Sequence, residues 1–225
     1  MPEPGYIAIE GVIDASKIST DGPYSEWTGY YGEEHECYVV QIQAITMRKD
    51  AIYHDLDPAH REHNLLCGVG YTDGAYDAVK RVVPAVKDVY LPPSGTGIII
   101  AYISIAKRVP GEGKRAALAA VNSVGSIKIA VVVDEDIDVF NEEEVLWAIA
   151  TRCCPDIDID IIPRIQAGFL DPTAYDETHL KRGPMNSKMI IDATKPVELP
   201  FATRIVPDPD LWQRMKLEDY IETEM

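Results

Sequence analysis

Hydrophobic residues in the first part of the chain follow the pattern of β-strands. Residues 6–13 are rich in β-branched side chains, and residues 37–47 alternate roughly between apolar and polar positions. A short third strand is predicted at 52–54, and the polar, Gly- and Tyr-rich stretch 14–36 is predicted to be a loop. Because little helix separates these strands, they indicate a fragment of an antiparallel sheet that needs further strands to close.

From about residue 60 the pattern changes to an alternation of helices and strands. The predicted helices lie at residues 74–83, 112–124 and 141–153. The predicted strands lie at residues 86–91, 97–106, 127–133 and 157–162. Asn141 is the expected cap of its helix, with acids in the first turn. The strand at 127–133 is apolar throughout, as in a sheet covered on both faces. The alternation predicts a layered α/β domain with a mostly parallel sheet.

The end of the chain predicts one more helix, acidic in character, over residues 207–221. Its apolar positions are Trp212, Met215, Leu217 and Tyr220. Apolar clusters that are exposed when left alone usually mark an interface. We therefore expect this tail to pack on a neighbouring subunit.

Composition and charge narrow the class of protein. The chain has 225 residues, 46% of them hydrophobic and 26% charged, which is ordinary for a globular protein. A net charge of −16 and the lack of a basic cluster argue against nucleic acid as a partner. The apolar runs are too short for a membrane span, and residues 1–4 do not resemble a signal peptide. Scattered cysteines without such a signal predict reduced thiols in a cytoplasmic protein.

The segment DGPYSEWTGYY, residues 21–31, is the first candidate for chemistry. Asp21 and Glu26 lie in one loop among aromatic rings. A carboxyl group in apolar surroundings can donate a proton near neutral pH when a cation keeps its neighbour ionised. The alternative is a surface loop with a tight turn at Gly22-Pro23, which the spacing alone favours.

Two further groups of residues have side chains of the kind that bind metal ions. The acids of residues 134–138 follow an apolar strand, where they could bind a metal or simply turn the chain into the next helix. A calcium loop would need Gly and Glu where Val139 and Val145 stand, so the structural interpretation is favoured. His60 and His63 could form one edge of a metal site. Because no third ligand is evident, solvated histidines are the favoured interpretation.

Six blocks of sequence, in order along almost the whole chain, resemble the UbiD family of decarboxylases. The blocks are residues 7–11, 21–31, 44–53, 128–140 with 145–152, 170–172 and 188–194. The resemblance implies a fold in which N-terminal strands of a split β-barrel cofactor domain are followed by a layered α/β domain. It also implies the family's chemistry, in which prenylated FMN serves to remove or add carboxylate on unsaturated or aromatic acids.

The resemblance assigns roles to residues of the acidic loop. The family's loop usually reads E-G-P-F-G-E, and the matching acids here are Asp21 and Glu26. By this match Glu26 is the general acid/base at the carbon that loses carbon dioxide. Asp21, one carbon shorter than the usual Glu, would hold the arginine of an Arg-acid-acid network. Trp27, Phe169 and Leu170 are the weaker candidates for the substrate pocket.

Members of the family are considerably longer. The resemblance implies that the part of the family sequence missing here is the part that precedes residue 1. That part carries most of the prenylated-FMN site, the manganese and potassium ligands, and the arginine of the network. We therefore expect this chain to be inactive alone and to need a separate N-terminal UbiD-like chain or segment. Met1, placed just before a family strand, favours a natural split subunit over a fragment.

These observations predict three regions and one function. Residues 1–58 contribute strands and the acidic loop to the cofactor domain, residues 59–200 form an α/β oligomerisation domain, and residues 201–225 form the tail. The predicted function is reversible decarboxylation of an aromatic or α,β-unsaturated acid, as a subunit or C-terminal half of a UbiD-like carboxy-lyase in a homo- or hetero-oligomer. The alternatives are a non-catalytic assembly subunit of such a complex and an unrelated α/β binding protein.

Overall fold

The computed structural model describes residues 7–174, 184–205, 210 and 214–216. The chain divides into two units, Met1–Thr194 and Lys195–Met225. In the second unit, residues 195–205 form neither helix nor strand. The predicted tail helix falls largely outside the described residues, with Trp212, Leu217 and Tyr220 among those not covered.

The first unit begins with an antiparallel hairpin of two long strands, β1 (Ile7–Asp21) and β2 (His35–Met47). Its register shifts between Glu10 and Gly11 and again between Ile13 and Ile18. The prediction of a loop from residue 14 was wrong, because β1 continues to Asp21. The residues of this extension are nearly all exposed, so no buried face marks it as a strand in the sequence. The short strand predicted at 52–54 is also wrong, since these residues form no strand.

A second sheet of five strands forms the centre of the α/β part. Its strands are β3 (Val86–Tyr90), β4 (Ile100–Ile105), β5 (Ile129–Asp134), β6 (Ile159–Gln166) and β7 (Met185–Ala193). They lie in the order β3-β4-β5-β7-β6. The pairs β4–β5 and β5–β7 are parallel, whereas β3 and β6 run antiparallel at the two edges. The sheet is therefore mixed, with a parallel centre, and the sequence pattern had not predicted β7.

The helices are α1 (Arg61–Val82), α2 (Glu112–Ser123), α3 (Glu142–Arg152) and the one-turn α4 (Pro155–Asp158). Asn141 caps α3 as predicted, its side chain accepting a hydrogen bond from the backbone of Glu143 at 3.1 Å. Helix α1 begins much earlier than the predicted residue 74. Its first turns bury only Asn64 and Gly68, so they carry no apolar stripe in the sequence. None of the helices in the described part of the chain has the length and hydropathy needed to cross a membrane.

The five-stranded sheet is covered on both faces, as its central apolar strand predicted. On one face, Ala130 and Val132 of β5 pack in a cluster with α1 and α2. On the other face, the alternate residues Val131 and Val133 pack with α3. This double cover fixes the sheet and provides a rigid support for the loops at its ends.

Candidate functional site

The loop between β1 and β2 folds back on itself through backbone hydrogen bonds. The amide of Glu26 donates to the carbonyl of Tyr30, and the amide of Gly29 donates to the carbonyl of Glu26, both at 2.9 Å. The amide of Gly32 donates to the carbonyl of Tyr24 at 2.8 Å. Gly29 has a φ of 84°, a conformation that glycine adopts without strain. These bonds define the backbone position from which the Glu26 side chain extends.

A pocket of about 220 Å³ lies between this loop and the segment that follows β6. The loop side is formed by Glu26, Thr28, Tyr30, Tyr31, Gly32 and Glu33, and the other side by Phe169, Leu170 and Pro172. The structure thus brings Glu26 together with Phe169 and Leu170, which are far apart in the sequence. The other two predicted site residues, Asp21 and Trp27, are not among the lining residues.

The Glu26 carboxyl group lies against the backbone of Gly32. A Cβ atom added at Gly32 would be 3.3 Å from Glu26 Oε1 and 3.4 Å from its Cγ, which is tighter than ordinary van der Waals contact. Among the described residues no hydrogen-bond donor reaches the Glu26 carboxylate. The described lining contains a second carboxylate, Glu33, and neither lysine nor arginine. The pocket is therefore acidic, and its central carboxylate is available to a ligand.

Asp21 lies at the end of β1, opposite His35, and takes part in bonds of its own loop. Its Oδ1 accepts hydrogen bonds from the amide of Gly22 at 3.1 Å and from the hydroxyl of Tyr24. The hydrogen bond to Asp21 raises the pKa of Tyr24. In the described part of the chain no lysine or arginine forms an ion pair with Asp21 or Glu26.

The residues of both candidate metal sites make contacts that stabilise the fold. Arg152, almost fully buried, bonds Asp134 at 2.7 Å and Asp136 at 2.9 Å, which ties α3 to the end of β5. The ring of His60 accepts the hydrogen bond that caps α1, and the ring of His63 accepts one from the backbone of Ala59 at 3.4 Å. Within the ranges that the structure describes, no three His, Cys, Asp or Glu side chains are grouped to hold a metal ion.

Several residues that line the pocket were not predicted as site residues: Thr28, Tyr30, Tyr31, Glu33 and Pro172. Four of these residues lie in or beside the acidic loop. Their closeness to Glu26 in the sequence could have indicated that they belong to the same site. Pro172 lies in the block that carries Leu170. The family resemblance placed Phe169 and Leu170 in the same pocket as Glu26, whereas residue spacing alone does not indicate that the two segments face each other.

The fold and site define a class, an α/β protein in which the loop of an N-terminal hairpin forms an acidic pocket with the α/β part. The family model described as the 3-octaprenyl-4-hydroxybenzoate carboxy-lyase C-terminal domain matches residues 64–193. The model for the Rift-related domain of the same enzyme matches residues 2–60. The chain therefore belongs to the UbiD family. This membership excludes the alternative of an unrelated α/β binding protein.

Curated relatives include the anhydromevalonate phosphate decarboxylases of two archaea. The enzyme of Methanothermobacter thermautotrophicus is 40% identical over 195 residues, which are 86% of this chain and 44% of the relative. The enzyme of Methanosarcina mazei is 38% identical over 203 residues, which are 90% of this chain and 47% of the relative. The chain thus spans about half the length of the curated relatives it matches.

Solved structures of UbiD-class enzymes share the fold. HmfF from Pelotomaculum thermopropionicum, solved with FMN, matches with a TM-score of 0.84 and 39% identity, over 96% of this chain and 47% of that one. An evolved dimeric form of HmfF, solved with prFMN, matches with a TM-score of 0.77 and 38% identity, over 96% and 45% of the two chains. These matches confirm the predicted fold class.

By itself the Glu26 pocket is not a complete flavin site, and the described residues hold no group of three His, Cys, Asp or Glu for a metal ion. At about 220 Å³, the pocket is smaller than the roughly 300–1,000 Å³ of complete ligand sites. Its described lining also lacks a cation for the phosphate of a flavin nucleotide. A cofactor of that size fits here only if residues from elsewhere complete the site.

Proposed function

We propose that this chain supplies the proton-transfer side of a UbiD-type carboxy-lyase. The observation that carries the proposal is the Glu26 carboxyl group, which has no donor among the described residues and faces a wall formed by Phe169 and Leu170. When the bond to the carboxylate breaks and carbon dioxide leaves, the electron pair on the substrate carbon takes a proton. Glu26 gives that proton and regains one from solvent. In the carboxylation direction Glu26 takes the proton from the substrate carbon, which then bonds to carbon dioxide.

Asp21 is proposed to hold an arginine of the partner. Both hydrogen bonds to its carboxylate fall on Oδ1, and in the described part of the chain no donor reaches Oδ2. An arginine bound there would be a charge-assisted pair beside the loop that carries Glu26.

The proposed partner is an N-terminal UbiD-like chain or segment that completes the sheet of the hairpin. The cross-strand pairs Ile7–Met47, Ile9–Ile45 and Ile13–Val40 place apolar side chains on one face of the hairpin. All six are exposed, Ile9 by 62% and Met47 by 64%. We call these six residues the apolar hairpin face. A two-stranded hairpin is marginal alone, and an exposed apolar face marks an interface.

This partner is proposed to bind most of the cofactor, prenylated FMN with manganese and potassium, in a homo- or hetero-oligomer. Residues 1–58 would then belong to the cofactor domain and residues 59–200 to the oligomerisation domain. The presence of prFMN in an HmfF structure supports the choice of flavin. A cytoplasmic location stays a prediction from the sequence.

The substrate to test first is anhydromevalonate phosphate, because both curated relatives are named as decarboxylases of this compound. The prefix denotes loss of water, so this compound is an unsaturated acid that also carries a phosphate. A simple aromatic acid is the second substrate to test. Because the described pocket lining is acidic, the substrate's anionic groups would have to contact the partner's side of the site.

The test is Glu26→Gln in the complex of this chain with its partner. Loss of a general acid lowers the rate by about 10²–10⁴-fold, so we expect kcat to fall by that factor while the complex and its flavin content stay unchanged. The matched control is Glu34→Gln, an exposed acid in the same loop that does not line the pocket. Full turnover by the Glu26→Gln complex would instead favour the alternative of a non-catalytic assembly subunit.

A further inference from the structure

The far wall of the Glu26 pocket belongs to an irregular segment, residues 167–174, between β6 and β7. Its only regular element is a single 3₁₀ turn, Pro172–Ala174. Phe169, at the pocket, is 69% exposed, so the side chain that forms much of the wall is not held by packing of its own. The position of this wall must therefore depend on other contacts of the segment.

Asp171 makes those contacts from inside the protein, where it is only 5% exposed. Its carboxylate accepts hydrogen bonds from Lys128 Nζ at 3.0 and 3.2 Å and from Asn186 Nδ2 at 2.7 Å. Within its own segment it accepts from the amide of Thr173 at 2.9 Å and from its hydroxyl at 2.8 Å. We call Asp171 with these three residues the Asp171 anchor.

The anchor ties the wall to two central strands of the five-stranded sheet. Asn186 lies on β7, and Lys128 directly precedes β5, the parallel neighbour of β7. The backbone of Lys128 is itself held, since its amide donates to Ile99 and its carbonyl accepts from Met189, both at 2.8 Å. A movement of residues 169–172 would thus require breaking bonds to the centre of the sheet.

The anchor is ionic at neutral pH. Burial alone would raise the pKa of Asp171, but the hydrogen bonds from Thr173, Lys128 and Asn186 outweigh burial and hold that pKa below its usual range. The Lys128–Asp171 contact is therefore a charge-assisted pair that is largely shielded from water, with only 22% and 6% of the two side chains exposed. Such a pair tolerates little displacement.

We propose that Asp171 is a positioning residue for the reaction, holding the wall of residues 169–172 at the distance from Glu26 that the substrate requires. This inference rests on the proposed function of Glu26. Asp171 itself does not line the pocket. It acts through its chain neighbours Leu170 and Pro172, which do. Because a displacement of about 1 Å can cost a large factor in rate, fixing this wall affects catalysis as well as stability.

The test is Asp171→Asn in the assembled enzyme, followed by two measurements. Hydrogen–deuterium exchange of the peptide covering 167–174 should become at least about tenfold faster while the exchange of β5 stays unchanged. In steady-state kinetics, kcat/KM should fall by about tenfold or more, chiefly through a higher KM, because the substrate loses a fixed wall. Unchanged exchange and unchanged KM would overturn the proposal.

The matched control is Asp192→Asn, at the other end of β7 and part of a different polar cluster. Asp192 lies 3.9 Å from Lys107 and accepts from the backbone of Thr194 at 3.2 Å. The Asp192→Asn variant should alter the melting temperature without altering KM or the hydrogen–deuterium exchange of residues 167–174. Equal kinetic losses in the two variants would reduce Asp171 to a general stabiliser and overturn the proposal.

A milder variant covers the case in which Asp171→Asn does not fold. Thr173→Ala removes the hydroxyl that donates to Asp171 at 2.8 Å and accepts from Lys128 at 3.2 Å, but it leaves the Lys128–Asp171 ion pair. It should shift exchange and KM in the same direction by a smaller factor. The exchange measurement needs no turnover. If Glu26→Gln stays fully active, the proposed function fails, and faster exchange in 167–174 still shows whether Asp171 anchors the wall.

Discussion

At the scale of single residues, the candidate site depends on how closely backbone and carboxylate approach each other. Gly32 leaves just enough room for Glu26, since a Cβ there would come within 3.3 Å of Oε1. Real side chains rarely tolerate such a contact, so the Glu26 carboxyl group would have to shift by a few tenths of an ångström. A residue without a side chain is therefore favoured at position 32, because the Glu26 carboxyl group occupies the space that a Cβ atom would need.

Gly32→Ala should therefore reduce catalysis without unfolding the protein. We expect kcat in the assembled enzyme to fall by about tenfold because the proton donor is displaced from the substrate carbon. The control is Gly125→Ala, where an added Cβ meets no atom within 4 Å. Steady-state rates and thermal melts of both variants provide the measurement. An unaltered kcat in Gly32→Ala would show that Glu26 has room to adjust or is not the donor.

At the scale of elements, the turn from β4 into α2 depends on one buried carboxylate at the start of the helix. Glu112 is only 4% exposed, and its Oε2 accepts hydrogen bonds from the amide of Arg108 at 2.7 Å and that of Val109 at 3.4 Å. The backbone hydrogen bond from Arg108 is the main cause that holds the pKa of Glu112 below its ordinary value. The ionised carboxylate thus stabilises both the loop and the helix start.

Glu112→Gln should destabilise the first unit by about 1.5–3 kcal/mol at pH 7, the range for hydrogen bonds to a charged group. Because the folded-state pKa is lowered, this stabilisation is present above the ordinary value of 4.5 and is lost as the pH falls through the folded-state value. The difference from wild type in urea unfolding should therefore shrink below that pH.

The control for this prediction is Glu143→Gln, an exposed acid in the first turn of α3. It removes only an interaction with the helix dipole, which is worth about 0.3–1 kcal/mol. A loss in Glu112→Gln that is as small as in this control, or that persists unchanged in acid, would contradict the role given to Glu112.

At the scale of the whole molecule, the apolar hairpin face is the feature that the chain leaves uncovered. The register shift between Glu10 and Gly11 keeps the apolar pairs on this face, since Ile9–Ile45 before it and Ile13–Val40 after it lie on the same side of the hairpin. The opposite face is more polar, since Glu10 lies on it beside Ala44 and Gln41 beside Val12. This asymmetry is what a sheet shows when one side is covered by further structure.

Ile45→Lys should therefore weaken assembly with the partner while the α/β part stays folded. An unpaired charge placed in a buried interface costs about 3–5 kcal/mol, which corresponds to a hundredfold or greater loss of affinity. Gln41→Lys, on the opposite face of the same strand, is the control. Native mass spectrometry or sedimentation of the mixture provides the measurement. Normal assembly of Ile45→Lys would mean that the partner binds elsewhere.

Elements with a buried face could be predicted from the sequence, whereas elements without one could not. The strand near 127–133, the helix near 112–124 and the Asn141 cap all follow from apolar periodicity or from local capping chemistry. The extension of β1 over residues 14–21 and the first half of α1 were missed because their side chains are largely exposed. The antiparallel edges of the sheet depend on strand pairing, which the spacing of residues does not encode.

By itself the sequence determined the family, the fold class and the acidic loop, because local chemistry and ordered blocks are properties of the chain. The tertiary structure decided which distant segments share a site. It placed Phe169 and Leu170 opposite Glu26, left Asp21 and Trp27 out of the lining, and anchored the wall through Asp171. Contacts of this kind arise from packing between segments remote in sequence, and the free energy of such packing depends on the whole fold.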